Sequence, residues 1–380
     1  MTAPIQPATT PDLLYSEAEE DLRSAVRALL ADRSDAPSVI ARTESDTPYD
    51  QELWKTLAAG IGAAGLLVPE KLGGLGATHR EAAVVLEELG RAATPSPYLT
   101  SAVVATAVLL ALDPEDGPAA VLLGDLAAGR RTAALAVPFA AAPGGDHTAE
   151  VTADCGALTG TVRGVADAAL ADVLLVPAPT GLYAVERAPH REATVVLERL
   201  VPLDLTRPLA SVTLDGAPAT LLAGPGDCVA AVRQGLLTGA GLLASEQLGV
   251  AEWCLTETVR YTRERHQFNR PIGSFQALKH RMAEIWLQVV SARAAARNAA
   301  DALATSAPDA ALAVAVAQAY CSGVAVHAAE ECVQLHAGIG MTWEHPAHLY
   351  LKRAKADSLA YGTAGRHRET VAGLVELPAP

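Results

Sequence analysis

The chain has 380 residues, half of them hydrophobic, and a formal net charge of −14. That length accommodates two or three domains with a sizeable core. The acidic balance, with no basic tract, argues against non-specific nucleic-acid binding. The five cysteines (Cys155, Cys228, Cys254, Cys321, Cys332) are scattered without a C-x-x-C pair, which reads as reduced thiols in a cytoplasmic protein. The N-terminus has no basic run followed by an apolar one, so no signal peptide is expected. No run of about eighteen apolar residues predicts a membrane span.

Residues 1–11 read as a Pro/Thr-rich arm. Ser16 to Leu30 is predicted as an amphipathic helix with acidic residues in its first turn, and Tyr49 to Ala59 as a second helix. Gly65 to Ala77 is a loop by its Gly and Pro content. Thr78 to Arg91 is the next helix, stopped by Pro95 and Pro97; Leu99 to Ala111 and residues 117–129 follow. These elements make an all-helical N-terminal domain, residues 1–131, of normal domain size.

The composition changes at Thr132. Short runs rich in Val, Leu and Thr alternate with Gly, Pro and Asp: Ala133–Val137, Leu158–Val165, Val173–Val176, Leu182–Val185, Ala193–Leu197 and Ala210–Leu214. Short strands at regular spacing predict a small β-barrel or sandwich over residues 132–225. The helical period returns at Gly226, with four long helices over residues 226–380: Asp227–Arg263, Ser274–Leu303, Asp309–His336 and His345–Ala360. The fold class is α+β, with a helical domain, a β domain and a C-terminal four-helix bundle.

Two stretches are more specific than this pattern. Tyr261 to His280 reads as the end of one helix, a turn bearing Asn269, Pro271 and Gly273, and the start of another helix capped by Ser274. Arg260, Arg263 and Arg265 gather where a helix C-terminus favours cations; an ordinary helical corner with solvated arginines has the same features. The second stretch runs from Gln334 to His345, where glycines stop a helix and let backbone approach a ligand. Glu344 and His345 read as a capping carboxylate and a helix-start His rather than an acid/base pair. The lone histidines His280, His327 and His348 are read as structural or surface residues, and no metal site is expected.

Arg265, Phe268, Pro271, Ile272, Gly273, Phe275 and Gln276 closely resemble the R-x-x-F-x-x-P-I-G-x-F-Q-type segment of the acyl-CoA dehydrogenase family. Gln334 and Gly338 look like its Q-x-x-G-G-x-G segment, with Ala337 in place of the first Gly. Residues 65–77 and the E-E-L-G-R ending at Arg91 match as well. The resemblance implies the family's helical–β–helical fold, FAD, an acyl-CoA substrate, an electron-transfer partner, and a homo- or hetero-oligomer, dimer or tetramer. Arg265, Gln267, Phe268, Gln334 and Gly338 would then contact a neighbouring subunit's FAD, and Thr363 joins them as a cofactor contact.

The same resemblance exposes what is missing. α,β-Dehydrogenation of a thioester needs a base for the proton beside the carbonyl. The family's usual Glu before Gly-Thr falls at Tyr361, followed by Gly362 and Thr363. A phenol with a pKa near ~10 is a poor base at neutral pH. The family's other base position falls at Gly239; Glu246, about two turns further on, is the alternative carboxylate, although a lone helical Glu is more often solvated or paired. In the middle domain the counterpart of the T-E-P-x-A-G-S-D-like run is Val137 to Asp146, and that of Trp-Ile-Thr is Gly164-Val165-Ala166, without the flavin-facing hydroxyls or aromatic.

The residues for a neighbour's FAD are thus present, while those for this chain's own reaction centre are absent. The pattern resembles actinobacterial two-gene acyl-CoA dehydrogenases acting on bulky acyl-CoAs such as sterol side-chain thioesters, and implies a subunit whose partner carries the Glu. Two alternatives stand: a same-fold flavoenzyme with other chemistry (monooxygenase, N-hydroxylase or biosynthetic oxidase), or a non-catalytic structural subunit.

Overall fold

A computed structural model describes residues 12–145, 147, 150–187 and 194–377. The arm at residues 1–11 and Asp146 lie outside the described residues, as does the start of the strand expected at Ala193.

The N-terminal block comprises α1 (Glu17–Arg33), α2 (Ala36–Thr43), α3 (Gln51–Lys55), α4 (His79–Arg91), α5 (Thr106–Leu110) and α6 (Gly117–Ala127). Ser16 and Thr78 start α1 and α4 through reciprocal capping boxes with Glu19 and Glu81. Two expected helices contain wider turns: Thr56–Gly60 continues α3, and Tyr98–Ala105 precedes α5, both with π-helical hydrogen bonding. Helix α2 was not expected; its signal is the Asp35 cap with Pro at the helix start.

The middle block is two four-stranded sheets. One has the order β1 (Ala133–Leu135), β4 (Val173–Ala178), β5 (Gly181–Glu186), β8 (Thr220–Ala223); the other has β2 (Val151–Asp154), β3 (Ala157–Ala166), β7 (Leu209–Pro218), β6 (Val195–Arg199). Only β1 with β4 is parallel among the described strands. The sheets enclose their own core, including Leu158, Val162, Leu174, Val185 and Val212. Strand β3 slips register between Val162 and Val165, and Gly164, with a φ of 70°, makes that irregularity.

The C-terminal block contains α7 (Pro225–Glu264), α8 (Gln276–Ala304), α9 (Ala310–His336), α10 (Ala347–Asp357) and α11 (Ala364–Leu374), so a fifth helix follows the expected four. Helices α7 and α9 are long and apolar enough to cross a membrane, but 72% and 50% of their apolar windows are buried inside the protein, which accounts for their composition. Helix α7 crosses α4 at backbone contact. A Cβ at Gly90 would lie 2.1 Å from the Glu246 carbonyl oxygen, and one at Gly249 only 1.9 Å from that of Glu87. Glycine at both positions permits the crossing, and the crossing sets Glu246 deep in the molecule.

Candidate functional site

The two positions at which the resemblance places a base meet in space. Tyr361 has a φ of 51° and sits in the turn before α11, where Thr363 Oγ1 caps the helix by accepting from the Arg366 N–H. Its buried ring faces Gly239 on α7: a Cβ added there would lie 3.2 Å from Tyr361 Cε2 and 2.7 Å from Val104 Cγ2. The space beside them is a cavity of only about 20 Å³, lined by Thr100, Val104, Leu135, Val137, Pro138, Phe139, Ala166, Leu236 and Tyr361. No carboxylate is among these residues. Burial pushes the Tyr361 phenol further above its ordinary range, with the nearby Arg207 opposing it only in part. The phenol therefore stays protonated at neutral pH and is not available to take up a proton.

The two middle-domain segments also come together. Phe139 donates its N–H to the Gly164 carbonyl at 2.8 Å, and Tyr361 donates its N–H to the Phe139 carbonyl at 2.9 Å. On the far side of Phe139 lies a roomier cavity of about 300 Å³, with Gly164, Pro202, Leu203, Arg207, Lys355 and Leu359 in its wall. Its lining is apolar apart from Asp204, Arg207 and Lys355, and it offers no side-chain hydroxyl.

Glu246 lies below this wall, 2% exposed, and bonds both Arg207 and Arg353. Arg353 also reaches Asp204 at 2.7 Å and the Thr206 carbonyl at 3.2 Å, while Arg207 stands 3.7 Å from Asp357. Burial opposes the Glu246 charge, but the two guanidiniums outweigh it and hold the carboxyl below the usual range. Asp357 goes the other way: burial and the neighbouring Glu246 push it well above its ordinary value, and neither oxygen has a hydrogen-bond partner. Glu246 is thus a paired structural carboxylate, one of the two outcomes weighed from sequence. Its partners stand 39 and 107 residues away, which no local pattern reveals.

The flavin-facing candidates sit at the opposite end of α7. Strands β9 (His266–Gln267) and β10 (Arg270–Pro271) form a hairpin whose two turn residues, Phe268 and Asn269, have φ of 51° and 62°. Two left-handed residues make the turn that suits strand twist. It holds the Phe268 ring 88% exposed. Arg265 and Gln267 are exposed beside it, and the Arg265 side chain bonds no carboxylate among the described residues. The expected Ser274 cap is not made: Ser274 closes a short turn, α8 begins at Gln276, and Ser274 Oγ has no partner.

The Gln334–Gly338 segment joins this surface because Tyr261 on α7 stacks on His336 of α9 at 4.4 Å. Gln334 and Gly338 are exposed, and nothing lies within 4 Å of where a Gly338 Cβ would be. An unpaired guanidinium, a bare aromatic face and open glycine backbone fit the pyrophosphate and ring systems of a dinucleotide. Glu344 makes no capping bond to α10. The first-turn Ala347 N–H instead donates to His345 Nδ1 at 3.3 Å.

Comparisons with known proteins bear on the family and the fold. The family model described as "Acyl-CoA dehydrogenase, C-terminal domain" matches residues 228–375, and its N-terminal counterpart matches residues 16–115. The acyl-CoA dehydrogenase IpdE2 of Mycobacterium tuberculosis is 38% identical over 89% of this chain and 91% of its own length. IpdE2 of Mycolicibacterium smegmatis is 36% identical over 91% of this chain and 95% of its own. Among solved structures, the ChsE4-ChsE5 complex from Mycobacterium tuberculosis superposes with a TM-score of 0.83 at 28% identity, covering 97% of this chain and 100% of that one. A variant of the "Tcur3481-Tcur3483 steroid ACAD" gives a TM-score of 0.81 at 29% identity, covering 95% and 98%.

Proposed function

The chain belongs to the acyl-CoA dehydrogenase family, an FAD-dependent family of oxidoreductases, and on that premise we propose that it is the subunit without a catalytic base in a heteromeric acyl-CoA dehydrogenase. One observation carries the reading. Tyr361 and Gly239, the two places for the family's base, face each other across a nearly filled cavity with no carboxylate in its wall.

Bound FAD supplies the hydride acceptor of the reaction. This chain's part would be to hold the partner's cofactor: Arg265 would offer its planar positive fork to phosphate, and Phe268, Gln334 and the backbone at Gly338 would complete the surface that receives it. The partner subunit carries the Glu that removes the proton. Thr363 caps α11 and orients the turn that carries Tyr361. Trp286 and Leu287 on α8, 59% and 60% exposed, and Val316 on α9 offer apolar surface for assembly. The ChsE4-ChsE5 complex and the Tcur3481-Tcur3483 steroid ACAD each have two named components. They support a two-component assembly acting on a bulky acyl-CoA.

The test is the flavin absorbance of the chain purified alone, then anaerobic titration with acyl-CoAs. The chain alone is expected to be colourless or unreactive. Co-expression with a homologue bearing Glu at the position of Tyr361 is expected to give yellow protein that bleaches with a steroid-side-chain acyl-CoA. Bleaching by the chain alone would overturn the reading.

A further inference from the structure

Three side chains that this reaction does not use converge beside α7. Glu257 lies on α7, His336 is the last residue of α9, and His345 precedes α10; one ligand atom of each lies within 4.8 Å of the other two. Glu257 Oε1 is 3.8 Å from His336 Nε2 and 4.0 Å from His345 Nε2. His336 is 1% exposed, and its Nε2 has no hydrogen-bond partner. A buried ring nitrogen left without a partner is uncommon and calls for an explanation.

The orientation of His336 supplies one. Its Nδ1 lies 2.7 Å from the Cys332 carbonyl oxygen and 3.6 Å from Cys332 Sγ. A carbonyl only accepts, so Nδ1 carries a proton. Deprotonated at Nε2, the ring aims its lone pair at the space between Glu257 and His345. A backbone carbonyl on the other ring nitrogen is how metal-ligating histidines are commonly fixed. The Tyr261 and His345 rings, at 4.4 and 4.5 Å, hold the His336 plane.

We propose that Glu257, His336 and His345 form a binding site for a divalent transition-metal ion of the zinc type, through one carboxylate oxygen and two imidazole nitrogens. Such an ion takes imidazole nitrogen and carboxylate oxygen at about 2.0–2.2 Å, so the three side chains draw together from their present separations of 3.8 and 4.0 Å when it enters. A solvent molecule completes the shell.

Two contacts give way when the ion enters. Arg260 holds Glu257 at 2.5 and 2.9 Å, but it is half exposed and already reaches Glu264 at 2.6 Å, so it has a second carboxylate to keep. His345 ligating through Nε2 carries its proton on Nδ1 and releases the 3.3 Å bond from the Ala347 N–H to solvent. Once bound, the ion ties the stretch between α9 and α10 to α7, including the exposed backbone at Gly338.

The test is titration of the untagged full-length chain with Co2+ followed by visible absorbance, then displacement by Zn2+. The expected result is one equivalent per chain, with affinity reduced at least ~10-fold in His345→Asn and in Glu257→Gln and unchanged in His280→Asn. Both site positions are partly exposed, so circular dichroism of the metal-free variants is expected to match the parent. No saturable uptake, or uptake insensitive to His345→Asn and Glu257→Gln, overturns the site. The readout needs neither flavin nor turnover and stands apart from the dehydrogenase reading.

Discussion

Phe139 and Tyr361 meet edge to face, with ring centroids 5.3 Å apart, and the Tyr361 N–H donates to the Phe139 carbonyl at 2.9 Å. This contact joins the middle block to the turn before α11 and leaves the Tyr361 phenol neutral in an apolar wall. Tyr361→Phe keeps the ring and removes the hydroxyl, and the described residues offer that hydroxyl no hydrogen bond. Turnover of the reconstituted assembly is expected to stay within about two-fold of the parent, against the ~10²–10⁴-fold that loss of an acid or base costs. A loss in that range would assign chemistry to the phenol.

Glu246→Gln separates structure from catalysis. The substitution leaves Arg207 and Arg353 buried without their shared anion, and removing one partner of a buried ion pair costs about 3–5 kcal/mol. The urea midpoint is expected to fall by a corresponding amount. A variant that kept its midpoint but lost turnover would instead make Glu246 the base.

Arg265→Ala and Phe268→Ala test the cofactor surface. Both residues are exposed, and the ring contact of Phe268 is a distant edge-to-face one with Phe275 at 6.1 Å, so the melting temperature of the isolated chain is expected to hold. A charge-assisted hydrogen bond is worth about 1.5–3 kcal/mol, so flavin in the assembled protein is expected to dissociate about ten-fold more readily or worse in Arg265→Ala. Flavin fluorescence released on dilution measures it. Equal retention in parent and variant would remove Arg265 from the site.

Asp167 gives a pH signature. Burial pushes its carboxyl up to about 6, although Thr100 donates to it at 2.6 Å and Arg207 stands near. The folded state therefore binds this proton more tightly than the unfolded chain. Stability from this group is complete below the unfolded value of about 4 and is lost as pH rises through about 6. Asp167→Asn has no such loss. Relative to the parent, the variant is expected to gain about 2 kcal/mol between pH 4 and pH 7, by urea unfolding at each pH. A constant difference across that range would refute the buried, protonated carboxyl.

Ala337 has a φ of 56° and a ψ of −134° at the end of α9, a sparsely populated region that costs an L-residue about 1–3 kcal/mol. Ala337→Gly relieves that cost and adds back some unfolded-chain entropy. The net expectation is a gain of about 1 kcal/mol, read as a higher urea midpoint at unchanged slope.

The sequence carried the order of the fold well and its tertiary pairings poorly. Helices α4 and α9 were legible because apolar periodicity and breakers agree at their ends. Strands β2 and β8, four residues each, were missed because they are too short to show alternation. Helix α11 was hidden behind Gly362-Thr363, a pair read for its resemblance rather than as a cap. The close approach of Gly239 to Tyr361 and the clustering of Glu257, His336 and His345 depend on how helices cross. Those residues lie tens of positions apart, so spacing along the chain could not announce them.

The contact of α4 with α7 at Gly90 and Gly249 reaches beyond the site. The buried side chains of the N-terminal helices and of the C-terminal bundle form one continuous apolar cluster, joined by Leu135, Leu175 and Leu182 from one sheet, while the sandwich interior forms another. The two helical blocks, separated in the chain by the whole sandwich, therefore complete each other. Part of each block's buried surface is supplied by the other, so the N-terminal helices reach their final packing only once α7, beyond the sandwich in the chain, has been synthesised.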